Sequence, residues 1–350
     1  MKIIKASHQI INEPNITKKI ERIARICYKS EDKIGEGTDI KMIKTLIKNQ
    51  HTAMLEHGSV VLEVSEQEYD FISDNISVIE SSIISVEKNK RMYLRCSYTI
   101  SSTKGIRYII SGNLRAWFDY MTEVVKFNAL SKELVTALNS VTNNIFEEFE
   151  DAYVDTKEYE FYNPSDAVYR VITDMNELSS QERMIHEDIS ILFTVDRGVT
   201  HELVRHRDCS FAQESTRYCN YNLGKFGNEI TVIEPCFWDT TPENSTPESI
   251  ACYNAWHDSC VFAETQYFNI IENKGTPQQA RDVLPTSVKA EIVMTTNLRE
   301  WKHILNLRAC DATGPAHPQM KEVMVPLLKE IRPKYEFAFG DLYASDEVHP

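Results

Sequence analysis

The densest run of chemically capable side chains spans residues 199–221, VTHELVRHRDCSFAQESTRYCNY, where Arg205, Arg207 and Arg217 lie close to Ser210, Gln213, Ser215 and Thr216. Three guanidinium groups interleaved with hydroxyls suit an anion such as a phosphate, because planar N–H forks and hydroxyl or backbone donors recognise the same oxygens. If the chain from His201 to Arg207 is helical, His201 and Arg205 share a face while Arg205 and Arg207 point about 200° apart. The two arginines then serve different ligands, or different parts of one. The competing reading is a surface patch in which Arg205 and Arg207 pair with Glu202, Asp208 and Glu214, an arrangement worth little energetically.

A second cluster covers residues 281–311, RDVLPTSVKAEIVMTTNLREWKHILNLRACD. Its latter half reads as a helix with Leu298, Trp301, Leu305 and Arg308 along one stripe. An arginine that extends an apolar stripe needs an anionic or carbonyl partner, since an unpaired buried charge is costly. Arg308 is therefore either a ligand residue or half of an ion pair, with Asp311 the near candidate. Arg299 and His303, four apart, share a neighbouring face, with Asn297 at the helix start. Taken alone, His303 reads as a structural histidine.

Spacing argues against several other chemistries. His201-Glu202-x-x-x-His206 misses the i, i+4 spacing that puts two zinc-binding histidines on one helix face, so no metal site is expected there. Gly35-Glu36-Gly37 lacks the third glycine and the preceding strand of a dinucleotide-binding turn, so any dinucleotide must bind in another way. The eight cysteines (27, 96, 209, 219, 236, 252, 260 and 310) form no Cys-x-x-Cys pair and read as reduced thiols. Cys236 has no adjacent base to activate it.

The elements that must position these residues follow from periodicity. Apolar Ile40, Ile43, Leu46 and Ile47 alternate with Lys41, Lys44 and Lys48, the stripe of an amphipathic helix over 39–50 that ends just before His51. Residues 59–64 read as a strand, 113–127 and 132–153 as helices, and 189–195 as a short apolar strand. Thr200 is placed to cap a helix beginning at His201. The acidic stretch 147–160 reads as a solvated helix end, and 236–248, rich in Pro, Thr and Asn, as a loop. No internal repeat is visible. With 42% hydrophobic and 26% charged residues the composition is globular, and a net charge of −14 argues against a nonspecific nucleic-acid binder. No apolar run approaches the length of a membrane span and the N-terminus is soon polar, so the expected address is the cytoplasm.

Arg205-His206-Arg207, then Ser215 and Arg217-Tyr218, resembles the signature of the flavin-dependent thymidylate synthases, the ThyX family. The resemblance extends to Ala24-Arg25-Ile26-Cys27-Tyr28, to His51 through His57, to Arg281-Asp282-Val283-Leu284-Pro285, to Asn297-Leu298-Arg299-Glu300-Trp301-Lys302-His303, and to Leu307-Arg308 with His317-Pro318-Gln319. It implies an α+β fold, an antiparallel sheet flanked by helices, here as one catalytic domain over 1–350 carrying a helix-rich insertion at 66–190. It also implies a homotetramer with sites between subunits, FAD bound without the dinucleotide turn, and reductive methylation of dUMP to dTMP by methylenetetrahydrofolate and NADPH.

By the same resemblance, Arg205, His206, Arg207, Gln213, Asn297, Arg299 and His303 hold FAD. Glu202, Arg205, Glu214, Ser215, Arg217, Arg281 and Arg308 hold dUMP, and His51 lies near flavin and folate. Arg308, His51 and Ser215 are the candidates for chemistry. Arg308 is assigned the stabilisation of negative charge on the pyrimidine N–C=O edge, which makes the neighbouring carbon a better nucleophile. Ser215 has no base partner in the motif and reads as a phosphate or substrate holder. Two departures stand out. Ala212-Gln213-Glu214-Ser215 replaces the family's Asn-Glu-Gln-Ser or Asn-Glu-Leu-Ser, and Glu202 replaces a common glutamine. A nucleotide sensor or RNA-binding module reusing the arginines, and a metal-dependent hydrolase using His201 and His206, are the alternatives from other classes.

Overall fold

The computed structural model describes residues 1–70, 72–73, 94–101, 105–126, 130–150, 152, 168–217, 221 and 227–348. In chain order it contains β1 (Lys2–Ile4), β2 (Ser7–Ile10), α1 (Ile16–Tyr28), α2 (Thr38–Lys48), β3 (Ser59–Val64), β4 (Leu94–Ser101), β5 (Gly105–Asn113), α3 (Leu114–Val125), α4 (Lys132–Thr142), β6 (Tyr169–Ile172) and α5 (Ser180–His186). It continues with β7 (Asp188–Asp196), α6 (Arg197–Leu203), β8 (Ser210–Gln213), β9 (Thr231–Ile233), α7 (Pro247–Glu272), β10 (Lys289–Asn297), α8 (Leu298–Arg308) and α9 (Pro318–Ile331), with short helical turns between. This is the mixed fold with antiparallel sheets expected from the sequence. Among the described residues no helix is long and apolar enough to cross a membrane.

The chain divides into two compact units, one of Met1–Ile11, Ala24–Glu31 and Ile189–Pro350, the other of Asn12–Ile23 and Asp32–Asp188. In the first, four strands lie in the order β2-β7-β10-β8, with β2 antiparallel to β7 and β8 antiparallel to β10. The strand β10 is buried over most of its length because helices cover the sheet. A separate core under α7 gathers Tyr221, Ile230, Val232, Cys260 and Tyr267. Thr246 caps α7 with a reciprocal bond to Ser249, and Pro247 starts it, both standard N-terminal devices.

The second unit has its own four-stranded antiparallel sheet, in the order β6-β3-β5-β4. Its core is built from Ile20, Ile43, Leu62, Ile110, Trp117, Leu138 and Phe146 and their neighbours. Gly58, at the start of β3, is fixed by close packing: a Cβ there would meet Ile16 Cγ2 at 2.6 Å and Ile20 Cδ1 at 2.7 Å. The sequence reading placed helices in the 66–190 stretch, and α3, α4 and α5 are there. That stretch also supplies β4, β5 and β6, which pair with one another or with β3. The helix expected over 132–153 ends at Thr142, where Asn143 adopts φ 52° and breaks it. Most of the acidic run 147–160 lies outside the described residues.

The two sheets share a local plan carried by a short repeated motif, which corrects the expectation that the chain has no internal repeat. In each, the third strand in the order given above, β10 or β5, ends on an asparagine whose side chain caps the next helix: Asn297 accepts from Glu300 N, and Asn113 from Ala116 N. Both read Asn-Leu-Arg-x-Trp, and both tryptophans are completely buried. Trp301 donates its Nε1–H to the Ile189 carbonyl at 3.0 Å, whereas Trp117 Nε1 has no partner among the described residues.

Candidate active site

The site in the first unit is organised by α8. Leu298, Trp301 and Leu305 are fully buried, which fixes the helix rotation and turns Arg308, in the last turn, toward the end of α6. Arg308 Nε donates to His206 Nε2 at 3.1 Å and Nη1 to Glu202 Oε2 at 3.4 Å. The stripe arginine thus finds its partners across the fold. Asp311, the expected partner, instead accepts from Ala316 N and pairs with Lys321.

His206 is held neutral. Burial, reinforced by the positive charge of Arg308 and by His303, pushes its pKa down to about 4, so near neutral pH its Nε2 lone pair is free to accept from Arg308. Glu202, the residue in place of the family's glutamine, sets its carboxylate against Arg308 and so does not stand as a bare anion.

Helix α6 starts one turn earlier than expected. Asp196, not Thr200, is its cap, accepting from Val199 N at 2.9 Å. Thr200 Oγ1 instead donates to the Arg197 carbonyl and accepts from Gln213 Nε2 at 3.1 Å. The helix ends at Leu203, so the argument from a helix running through Arg207 does not hold: Arg205 and Arg207 sit in the turn beyond it, both exposed. Among the described residues neither forms an ion pair, which removes the proposed pairing with Glu202, Asp208 and Glu214. Thr296 Oγ1 donates to the Asp208 carbonyl at 2.8 Å and ties this turn to the end of β10. Arg299 and His303 are exposed on α8, and Asn297 is committed to capping it.

Just past β8, Glu214 is almost fully buried. Its Oε2 accepts from Lys289 Nζ at 2.7 Å and from Glu291 N at 3.3 Å, while Oε1 has no partner among the described residues. Lys289 also reaches Glu291 at 3.0 Å, and Glu291 pairs with Lys29. Burial opposes ionisation of Glu291, but Lys289 and Lys29 hold its carboxyl below the usual range. Sequence reasoning missed this lysine–glutamate network, although Lys289-Ala290-Glu291 shows the period-two signal of two charges on one face of an apolar strand.

Ser215 N donates to the Cys27 carbonyl, and Ser215 Oγ accepts from Arg217 N at 3.3 Å; no side-chain base touches that oxygen among the described residues. Arg281, in the turn Arg281–Val283, is 3.9 Å from Asp282. His51 belongs to the second unit, exposed at the start of the turn Thr52–His57.

The second unit provides an internal contrast. Arg115 occupies the position of Arg299 in the shared Asn-Leu-Arg-x-Trp frame, and it is neutralised by Glu56 at 2.5 Å and Asp119 at 3.6 Å. At the same distance past the capping asparagine, Val124 stands where Arg308 does, completely buried. One copy of the frame is electrically closed. The other leaves Arg205, Arg207 and Arg299 without carboxylate partners among the described residues, on a chain of net charge −14. These cations are suited to a multiply charged anion, so the residues present fit a phosphate-bearing cofactor or nucleotide.

Comparison with known proteins agrees in part of the chain. Residues 166–334 match the family model described as Thymidylate synthase complementing protein; the N-terminal part of the resemblance, His51 included, lies outside the match. A flavin-dependent thymidylate synthase of Pyrococcus horikoshii is 33% identical over 162 residues, 45% of this chain and 61% of that one. Those of Pyrococcus furiosus and Corynebacterium efficiens are 34% and 30% identical, over 42% of this chain and 56% and 58% of theirs. The chain thus spans about three fifths of the length of these curated relatives. A UMP/dUMP methylase PolB from Streptomyces cacaoi, solved with 5-Br UMP, aligns over 97% of both chains at 13% identity and a TM-score of 0.39. Residues 166–334, which hold the arginine turn, β10 and α8, are thus the part of the chain that is similar to the thymidylate synthase complementing protein family.

Proposed function

We propose that the chain is a flavin-dependent thymidylate synthase that converts dUMP to dTMP, with methylenetetrahydrofolate giving the one-carbon unit and NADPH the electrons. The observation that carries this reading is the guanidinium of Arg308, held at the end of an apolar stripe by Glu202 and a neutral His206 beside uncompensated Arg205 and Arg207. FAD, when bound, supplies the hydride chemistry that no side chain of this protein can perform. Arg207, Arg299 and His303 would hold its phosphates, with His206, Gln213 and Asn297 setting the positions of the turn and helix that carry them.

Arg205, Arg217 and Arg281 would take the phosphate of dUMP. Arg308 faces the pyrimidine with Nη2, which has no partner among the described residues, and stabilises negative charge on the N–C=O edge, which makes the neighbouring carbon the better nucleophile. Glu202 and His206 fix the plane of that guanidinium, and the neutral state of His206 spares the site a further positive charge. Glu214 Oε1, buried and without a partner among the described residues, is an acceptor that a substrate N–H can satisfy. Ser215 orients, since no base is placed to deprotonate it.

The family resemblance adds a homotetramer with sites between subunits and a place for His51 near flavin and folate. The test is to purify the protein, record its visible spectrum with and without added FAD, and measure dTMP formed from dUMP, methylenetetrahydrofolate and NADPH. A yellow protein that makes dTMP only with all three substrates is the expected result. A colourless protein that takes up no added FAD overturns the reading.

A further inference from the structure

The last three residues of β10 commit their side chains to three different parts of the first unit. Thr295 Oγ1 shares a hydrogen bond with Ser190 Oγ of β7 at 2.7 Å, and Asn297 caps α8. Between them the buried Thr296 donates from Oγ1 to the Asp208 carbonyl at 2.8 Å, in the turn that carries Arg205 and Arg207. The first two contacts join regular elements of the fold. The third holds a turn that bears two open cations.

The two halves of that turn are anchored differently. Arg205 N donates to the Glu202 carbonyl at 3.2 Å and His206 N to the Leu203 carbonyl at 3.1 Å, so both continue the last turn of α6, and the His206 ring accepts from Arg308. Arg207 and Asp208 make no backbone–backbone hydrogen bond among the described residues. Asp208 also adopts φ 58°, a left-handed conformation that is unfavourable for a residue with a Cβ. The Arg207 carbonyl accepts from Cys209 Sγ at 3.3 Å, but a thiol is a weak donor. The Thr296 hydroxyl is the strong donor on this segment.

The second unit shows that the frame can be built without this hydroxyl. In the shared Asn-Leu-Arg-x-Trp motif the residue before the asparagine is Gly112, which pairs in register with Leu94 of β4, and a Cβ there would run into the Leu94 side chain. The copy whose arginine is neutralised by Glu56 and Asp119 therefore has no side chain where Thr296 stands. Strand, cap and helix form in both copies, so the hydroxyl is not needed to make them.

We infer that Thr296 is a positioning residue for Arg207: its hydroxyl fixes the Arg207–Asp208 segment before an anionic ligand arrives, while Arg205, held from α6, does not depend on it. A segment ordered in advance loses less freedom on binding, so the tether acts through affinity. Naming FAD as the ligand of Arg207 rests on the activity proposed above. The tether itself does not.

The test compares the full-length wild type with Thr296→Val and Thr296→Ser. Valine keeps the branching of threonine and removes only the hydroxyl, and Asp208 is exposed, so water can take its carbonyl and the fold survives, which circular dichroism checks. Without added ligand, trypsin should cleave Thr296→Val after Arg207 several-fold faster than wild type, with cleavage after Arg205 unchanged. FAD affinity, read by titration of flavin fluorescence, should fall about fivefold in Thr296→Val, the scale of one hydrogen bond, while dUMP binding in equilibrium dialysis holds. Thr296→Ser should match wild type in every measurement. Unaltered cleavage after Arg207 in a folded Thr296→Val chain, or equal weakening of FAD and dUMP, overturns the inference. Faster cleavage after Arg207 in a chain that takes up no FAD bears out the tether and refutes the flavin reading alone.

Discussion

Replacing Arg308 by lysine separates charge from geometry at the centre of the proposed site. In the wild type the guanidinium is anchored twice, from Nε to His206 and from Nη1 to Glu202, and this double anchor leaves Nη2 without a partner among the described residues. A lysine ammonium keeps the positive charge but has one nitrogen in place of three. If it satisfies Glu202 it leaves His206 without its donor, and it cannot also present a planar edge to the pyrimidine. Ground-state attraction for dUMP survives in part, because it depends on charge and on Arg205, Arg217 and Arg281 as well. The contact that holds negative charge on the N–C=O edge, and so activates the neighbouring carbon, does not survive.

Loss of one well-placed charge-assisted contact in the transition state costs on the order of 3 kcal/mol, about a hundredfold in rate. The assay compares two rates on the same Arg308→Lys enzyme: flavin reduction by NADPH, followed by bleaching of the visible band, and dTMP formation. Flavin reduction should continue at a rate close to wild type, since it requires no activated pyrimidine, while dTMP formation falls by about two orders of magnitude. Near-normal dTMP formation refutes the argument and makes Arg308 a structural residue whose function is to hold Glu202 and His206.

Three further outcomes can be measured. The family resemblance gives Arg207 to FAD, so Arg207→Ala should release flavin more than it weakens dUMP binding, as equilibrium dialysis of both ligands would show; equal loss of both rejects the division of roles between Arg205 and Arg207. Lys289→Met strands the buried carboxylate of Glu214 and should lower stability by about 3–5 kcal/mol in urea unfolding. Lys29→Met, which leaves Glu291 paired with Lys289, should cost distinctly less, and the opposite order would show that the network is not centred on Glu214. His206, with a folded pKa near 4 against an ordinary 6.5, adds stability that is fully present above pH 6.5 and is lost as pH falls toward 4. The gap in thermal midpoint between wild type and His206→Asn should therefore narrow over that range, and a constant gap is the contrary result.

What could be read from the sequence depended on whether a signal was local. The stripe Leu298-Trp301-Leu305-Arg308 was legible because four residues at helical spacing report on one face, and they reported correctly that Arg308 needs a partner. The partner was not legible. Asp311 is near in sequence, but Glu202 and His206 come from a different helix and its following turn, and only the sheet order β2-β7-β10-β8 brings those segments to α8. The start of α6 was misplaced for a related reason: Asp196 and Thr200 are both capping types, and the choice rests on Gln213, which engages Thr200 from β8. The shared frame of the two units escaped notice because five letters, Asn-Leu-Arg-x-Trp, are all that the frame itself demands. The capping amide, the buried leucine and the buried indole are fixed by packing, and positions facing outward are free to diverge.

That freedom explains how one frame can be closed in one unit and open in the other. An exposed arginine without a carboxylate costs little, because water solvates it, so Arg299 can stand open between ligand-binding events without destabilising α8. Arg115 gains equally little from Glu56 and Asp119, so stability does not explain why the second unit neutralises it. The difference lies in what each surface can attract. Three uncompensated guanidinium groups create a local positive field on a chain of net charge −14, the kind of field that draws phosphate-bearing ligands. Pairing Arg115 and placing a buried valine at the position of Arg308 removes that attraction from the second copy of the motif. Charge placement on a shared motif thus distinguishes the two units: one presents open guanidinium groups and the other does not.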